Sequence, residues 1–201
     1  FESQSIKKLD KAACQFAYRD SIFKHTLKDK GVITKVRLQL TKNWCANLSY
    51  NGLNDLPASS TAAQIYQRVI EVRQSKLPDP KVIPNAGSFF KNPVISQEKY
   101  NQLLQHYPTV AAYLQKDTTV KLAAGWLIEE AGFKGLVQNN VGVHSKQALV
   151  LVNHGSKSGA DVYQLALAIN KKVFEMFGIY LQPEVRLVAE HGFIGNGDFN
   201  G

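Results

Sequence analysis

The 201-residue chain has only two cysteines, Cys14 and Cys45. Two cysteines make no disulfide framework, and with no matching histidine spacing they make no zinc site. Long hydrophobic runs are also missing: nothing approaches the roughly 20 apolar residues that a membrane-spanning helix needs. The first residues, Phe1-Glu2-Ser3-Gln4-Ser5, lack the basic start and apolar middle of a secretory signal, so a cytoplasmic protein is expected. The five histidines, His25, His106, His144, His154 and His191, fall in neither an H-x-x-x-H nor an H-E-x-x-H pattern, which excludes the common helical metal motifs. There is no Gly-x-Ser-x-Gly elbow, no Gly-Lys-[Ser/Thr] phosphate loop and no G-x-G-x-x-G dinucleotide fingerprint, and Gly192 to Gly197 lack the flanking strand and helix that such a fingerprint requires. Internal repeats and low-complexity tracts are absent as well.

What is present is the composition of an ordinary globular protein, 44% hydrophobic and 20% charged, long enough to bury one large core or two small ones. The formal charge of +8 attracts polyanions. Its basic residues are scattered from Lys7 to Lys172 without a long basic run or a nucleic-acid reader module. A small anionic ligand such as a nucleotide diphosphate therefore suits the charge better than DNA or RNA.

Along the chain, Val36, Leu38 and Leu40 alternate with Lys35, Arg37 and Gln39, which predicts a half-buried strand over Val32 to Leu40. Thr61 and Gln64 form a capping box ahead of Ile65, Val69 and Val72, predicting a helix to about Ser75. Lys76-Leu77-Pro78-Asp79-Pro80 reads as a stiff linker and a domain boundary. Ser96 is placed to cap a helix through Leu104, and Lys121 to Ala131 reads as another, with Leu122 and Trp126 on its buried face and Gly132 as its left-handed end. Ala148 to Val152 is a continuous apolar run, a strand buried on both faces, with His144 and His154 as turn residues at its ends. Gly159 to Met176 carries a stripe of Val162, Leu165, Ile169, Val173 and Met176, with Gly178 as its stop. Pro183 to Val188 alternates as a final strand, and the glycine-rich tail from Gly192 reads as mobile. Helices and strands interleave without a strict repeat, so the fold class is α+β.

Three residues invite chemistry. Ser88 sits in Asn85-Ala86-Gly87-Ser88-Phe89-Phe90-Lys91-Asn92-Pro93, between a glycine that tolerates positive φ and two rings that can exclude water; Pro84 and Pro93 mark the segment as a shaped loop. The competing reading is a turn that packs its own phenylalanines. Arg19 follows Tyr18 and offers a bidentate fork for a carboxylate, or a surface pair with Asp20. Glu184 follows Pro183 at a strand end, where a carboxylate can face a cleft or simply be solvated.

Together and in this order, Tyr18-Arg19-Asp20-Ser21, Asn85 to Pro93, Ala123-Ala124-Gly125-Trp126-Leu127-Ile128-Glu129, Gly142-Val143-His144, Leu149 to Gly155 and Pro183-Glu184-Val185 closely resemble the UDP-N-acetylenolpyruvoylglucosamine reductases, from about Cys14 to Phe193. The resemblance implies a cytoplasmic flavoenzyme of peptidoglycan and cell wall synthesis that carries hydride from NADPH through FAD onto an enolpyruvyl double bond. It implies Ser88 as proton donor, with Arg19 and Glu184 stabilising or protonating the enolate-like intermediate. Tyr50, in Trp44-Cys45-Ala46-Asn47-Leu48-Ser49-Tyr50, resembles the tyrosine that closes over the substrate diphosphate in the subtype with an inserted tyrosine loop. Lys76 and Asn92 match positions that hold the same nucleotide, with Arg73 and Tyr113 as further candidates. The expected partners are the UDP-sugar and NADPH, with no nucleic acid and no membrane.

The same resemblance implies that the glycine-rich flavin-binding loop of the family has no counterpart before Phe1. Residues 1–78 would then be the second part of a truncated FAD-binding domain, 79–186 the substrate-binding domain, and 187–201 a carboxyl-terminal strand and mobile tail. A domain that binds anionic sugar nucleotides without catalysis is the alternative from a different class.

Overall fold

The computed structural model describes residues 5–115 and 117–194. The chain divides into two compact units, Phe1–Cys45 and Ala46–Gly201.

In the first unit Asp10 starts a turn, its carboxylate accepting the Ala13 N–H at 2.8 Å and its carbonyl the Cys14 N–H at 3.1 Å. Cys14 is buried and its carbonyl accepts the Ile22 N–H, which closes the loop that carries Arg19. A single 3-10 turn follows at Ile22–Lys24. The strand expected over Val32 to Leu40 is absent: the segment has no regular structure, and Val36, Leu38 and Leu40 are 72%, 77% and 82% exposed. An alternating pattern becomes a strand only when a neighbour pairs its backbone and covers its apolar face, and no paired strand lies beside this segment among the described residues.

The second unit opens with the loop that bears Tyr50, followed by α1 (Ala62–Lys76). The capping box forms as expected: Thr61 Oγ1 accepts the Gln64 N–H at 3.3 Å and Gln64 Oε1 accepts the Thr61 N–H at 2.8 Å. The remaining elements are β1 (Asn85–Ser88), β2 (Val94–Ser96), α2 (Gln97–His106), β3 (Ala112–Leu114), β4 (Thr119–Leu122), α3 (Ala124–Glu130), β5 (Val137–Gln138), β6 (Val141–Val143), β7 (Val150–Asn153), α4 (Gly159–Phe177), β8 (Val188–Ala189) and β9 (Gly192–Phe193). They form a four-stranded antiparallel sheet in the order β1-β7-β6-β5, a three-stranded antiparallel sheet β2-β4-β3, and the β8-β9 pair. Helix and sheet are thus mixed, as the α+β expectation has it.

Local signals explain the ends of the long helices. Ser96 caps α2 through the Lys99 N–H at 3.2 Å, and Gly178 ends α4 in the left-handed region at φ 64°. Asn139 and Asn140, at φ 52° and 60°, make the two-residue turn between β5 and β6, where both central residues need positive φ. The core gathers the α4 stripe of Leu165, Ile169, Val173 and Phe177 against Val143 and Leu151 of the sheet, with Leu127 and Ile128 of α3 and Leu122 of β4. Each fully buried leucine, isoleucine or phenylalanine contributes about 1.5–3 kcal/mol relative to exposure.

Several expectations are corrected. The helix expected over Lys121 to Ala131 begins only at Ala124, because Val120 and Leu122 alternate into the core on a strand paired on both sides, by β2 and β3. Leu122 therefore does not share a helix face with Trp126. The serine segment, expected as a loop throughout, begins as β1, whose register shifts between Asn85 and Ser88 where Gly87 takes φ 74°. The strand expected over Pro183 to Val188 is reduced to a single bridge at Pro183 and the short β8, since residues 184–187 belong to no strand ladder among the described residues. Gly192 belongs to β9 rather than to a tail, and residues 195–201 lie outside the described residues.

Candidate functional site

Ser88 closes β1 opposite Val150 of β7 and is exposed, while the next two residues turn inward. Phe89 and Phe90 are only 4% and 1% exposed, with ring centroids 4.9 Å apart at 62°. The rings anchor the backbone so that the hydroxyl before them is presented outward. Asn85 shapes the approach: its Oδ1 accepts the Gly87 N–H at 2.9 Å, and its amide donates to the carbonyls of Ile83 at 2.8 Å and Pro78 at 3.3 Å. That last bond ties the end of the linker after Lys76 to the strand that carries Ser88.

Chain continuity does the rest. The Phe89 N–H donates to the Leu149 carbonyl at 2.7 Å, and the Phe89 carbonyl accepts the Glu184 N–H at 2.7 Å. Lys91 donates to the Gln182 carbonyl at 2.8 Å, and Phe90 bridges Pro183 in antiparallel fashion. The residues just after Ser88 therefore lie beside Gln182 to Glu184, which brings two sequence-distant candidates onto neighbouring backbones. Buried Pro183 holds the half-buried Glu184 at the edge of the core.

Asn92 has a structural task in addition to its expected one. Its Oδ1 accepts the Ala124 N–H at 3.0 Å and so caps α3, whose own N-cap residue, Ala123, has no side chain able to do it. The Asn92 amide group remains as the donor end. Tyr113 is exposed on β3 and lies opposite Lys121 of β4, whose ammonium sits 5.4 Å from the ring centroid. Lys121 is not among the sequence candidates; its half-buried place in the Thr119–Leu122 alternation sets it opposite Tyr113. Arg73 and Lys76 lie one turn apart, both exposed, at the carboxyl end of α1. Tyr50 is exposed in the loop packed against the same helix, where Gly52 lies so close to Val72 that a Cβ would come within 2.8 Å of it.

Arg19 belongs to the amino-terminal unit. It occupies the left-handed region at φ 54° in the tight turn bridged by Ala17 and Asp20. A non-glycine residue there carries strain of about 1 kcal/mol or more. The Tyr18 ring lies 6.0 Å from its guanidinium carbon, and Lys24 donates to its carbonyl. Asp20 is engaged with His25, whose Nε2 lies 2.8 Å from each carboxylate oxygen; this hydrogen bond and the Ser21 N–H lower the Asp20 pKa. Just after β6, His144 donates its backbone N–H to the Val150 carbonyl at 2.9 Å and has its pKa lowered by burial first, then by Lys146 and His154.

Cys14 and Cys45 are both free, and no cluster of three or more metal-ligating side chains exists among the described residues. No helix among them is long and apolar enough to cross a membrane.

Residues 79–188 match the family described as UDP-N-acetylenolpyruvoylglucosamine reductase, C-terminal domain. A protein of Shewanella baltica named UDP-N-acetylenolpyruvoylglucosamine reductase is 51% identical over 191 residues, covering 94% of this chain and 56% of the relative. Proteins of the same name from Idiomarina loihiensis and Vibrio cholerae (El Tor Inaba) are 50% and 49% identical, over 92% and 94% of the chain. The chain spans about half the length of these curated relatives, 56% and 54% for the last two.

Proposed function

Because the chain belongs to the UDP-N-acetylenolpyruvoylglucosamine reductase family, we propose that it forms the substrate-binding and proton-delivering part of an enzyme reducing UDP-N-acetylglucosamine enolpyruvate to UDP-N-acetylmuramate in peptidoglycan synthesis. Residues 1–78 would complete a flavin-binding domain and 79–186 bind substrate; the family match over 79–188 supports the second of these ranges. FAD, reduced by NADPH, supplies the hydride in the assembled enzyme. The described residues form no glycine-rich cradle for a flavin pyrophosphate, so no flavin contact is assigned to them. A cytoplasmic location goes with the same proposal.

The observation that carries the reading is the hydrogen bond between the Glu184 N–H and the carbonyl of the residue after Ser88. Hydride added at the methylene carbon of the enolpyruvyl group sends the π pair onto the carbon beside the carboxylate. That carbon then needs one proton, which Ser88 Oγ–H delivers. Glu184 stabilises or protonates the same intermediate from the neighbouring backbone. The family resemblance assigns Arg19 to the substrate carboxylate, where a guanidinium would spread the developing charge. Lys76, Arg73 and the Asn92 amide offer donors to the diphosphate, and Tyr50 closes over it. Tyr113 and its cationic neighbour Lys121 join that nucleotide surface.

Ser88→Ala in the full-length flavoenzyme tests this. Loss of a positioned acid is expected to lower kcat about 10²–10⁴-fold while substrate KM stays within about 3-fold. A kcat within about 3-fold of the parent would refute the proton-donor role.

A further inference from the structure

Among the described residues two polar side chains are buried, Ser60 and Asn170, and the chemistry above leaves both unused; Asn170 is the more deeply buried. It is 2% exposed, in the middle of α4, among the buried stripe of Leu165, Ala166, Ile169, Val173 and Phe177. A carboxamide in such a place is costly unless its polar atoms are satisfied. Its Oδ1 accepts the N–H of Leu181 at 2.6 Å. Leu181 is itself fully buried, so its N–H has no recourse to water.

The consequence of this bond lies in the residues just beyond Leu181. After the left-handed turn at Gly178 the chain doubles back along α4 and reaches Asn170 at Leu181. The next three residues lie against the serine segment: the Gln182 carbonyl receives Lys91, Pro183 bridges Phe90, and the Glu184 N–H donates to Phe89. Such a short pairing is weakly held in register. A slip of one residue would turn alternate side chains to the opposite face. Proline at 183 provides no N–H to resist it. One end of the stretch is held at Leu181 from the helix, and the other carries the carboxylate.

We propose that Asn170 is a positioning residue: its side-chain carbonyl sets the register of Leu181 to Glu184 against Phe89 to Lys91, and so fixes where the Glu184 carboxylate stands relative to the serine segment. This rests on the proposed role of Glu184. Asn170 touches no substrate and acts through the backbone alone.

The test uses the full-length flavoenzyme with Asn170→Leu, which fills the volume but removes the acceptor, and Asn170→Asp, which keeps it. Hydrogen exchange of the Glu184 amide is expected to quicken about 10-fold or more in Asn170→Leu and to stay within about 3-fold of the parent in Asn170→Asp. In turnover, Asn170→Leu is expected to lower kcat about 10-fold with KM within about 3-fold. In a Glu184→Gln background it should lower kcat no further, because it acts through that carboxylate. Unchanged Glu184 exchange in Asn170→Leu, or an equal fractional loss of kcat in both backgrounds, overturns the proposal. If Asn170→Leu does not fold, Asn170→Asp decides: quickened Glu184 exchange with the acceptor still present refutes it. Should Glu184→Gln alone turn over normally, the catalytic reading of Glu184 fails, and the exchange measurement still judges the register claim by itself.

Discussion

Substituting alanine at Gly142 and at Gly87 is chemically the same change with two different physical costs. Gly142 lies in β6, between β5 and β7, and a Cβ there would sit 2.6 Å from the Leu136 carbonyl oxygen, 3.0 Å from Val137 Cγ2 and 3.3 Å from Val137 Cα. The first contact is with backbone, which cannot rotate away. Forcing such overlap in a packed interior costs about 1–3 kcal/mol. The same Leu136 oxygen accepts the Val143 N–H at 2.9 Å, and pushing it aside weakens a bond whose complete loss in the interior costs about 1–3 kcal/mol. Against this, Gly→Ala restricts the unfolded chain and returns about 0.4–1 kcal/mol. The net expectation is a loss of roughly 2–4 kcal/mol, or a Tm lowered by about 5–15 °C for a chain of this size. At Gly87 nothing lies within 4 Å of an added Cβ, so only the φ of 74° opposes it. That backbone term is about 1–2 kcal/mol. Thermal unfolding followed by circular dichroism on the two variants and the parent compares them directly. A Gly142→Ala Tm within about 2 °C of the parent, or a larger loss at Gly87 than at Gly142, would refute the reasoning.

Three further outcomes are expected. Asn92→Ala removes the cap of α3 and should cost about 0.5–2 kcal/mol of stability, read from denaturant midpoints, together with weaker UDP-sugar binding by calorimetry; an unchanged midpoint contradicts the capping role. Tyr50→Phe in the full-length enzyme should mainly raise substrate KM, and an unchanged KM with collapsed kcat speaks against closure over the diphosphate. His144 binds its proton less readily folded than unfolded, so its contribution is fully present above the unfolded pKa of about 6.5 and is lost as pH falls towards the lowered folded value. His144→Asn should therefore flatten the fall in stability over that acidic window, and an identical pH profile for the two proteins argues against it.

Signals carried within a few residues of chain were legible. Thr61 with Gln64, Ser96, and Gly178 at the end of a continuous apolar stripe each set a helix boundary that the structure keeps, because a cap satisfies backbone groups within its own turn. Strands were harder to read, since each depends on a distant partner. Lys121 and Leu122 read as the start of a helix until β2 and β3 flank their strand, and Val36 to Leu40 alternates without interruption yet forms no strand among the described residues. The same limit hid the pairing of Lys121 with Tyr113 across the ladder, and Asn92's second task, a cap given to a helix far along the chain.

The sequence by itself determined the helix boundaries at Thr61, Ser96 and Gly178, an apolar run, Ala148 to Val152, that contains most of β7, and an ordered set of motifs sufficient to indicate the family. Tertiary structure alone decided that Gln182 to Glu184 lies beside Phe89 to Lys91, and that Asn170, an ordinary position in a helical stripe, holds Leu181 next to that pairing. The physical reason is range. Caps and stripes are settled by residues three or four apart, whereas strand register and buried polar pairs are settled by whichever distant backbone must find a partner once water is excluded.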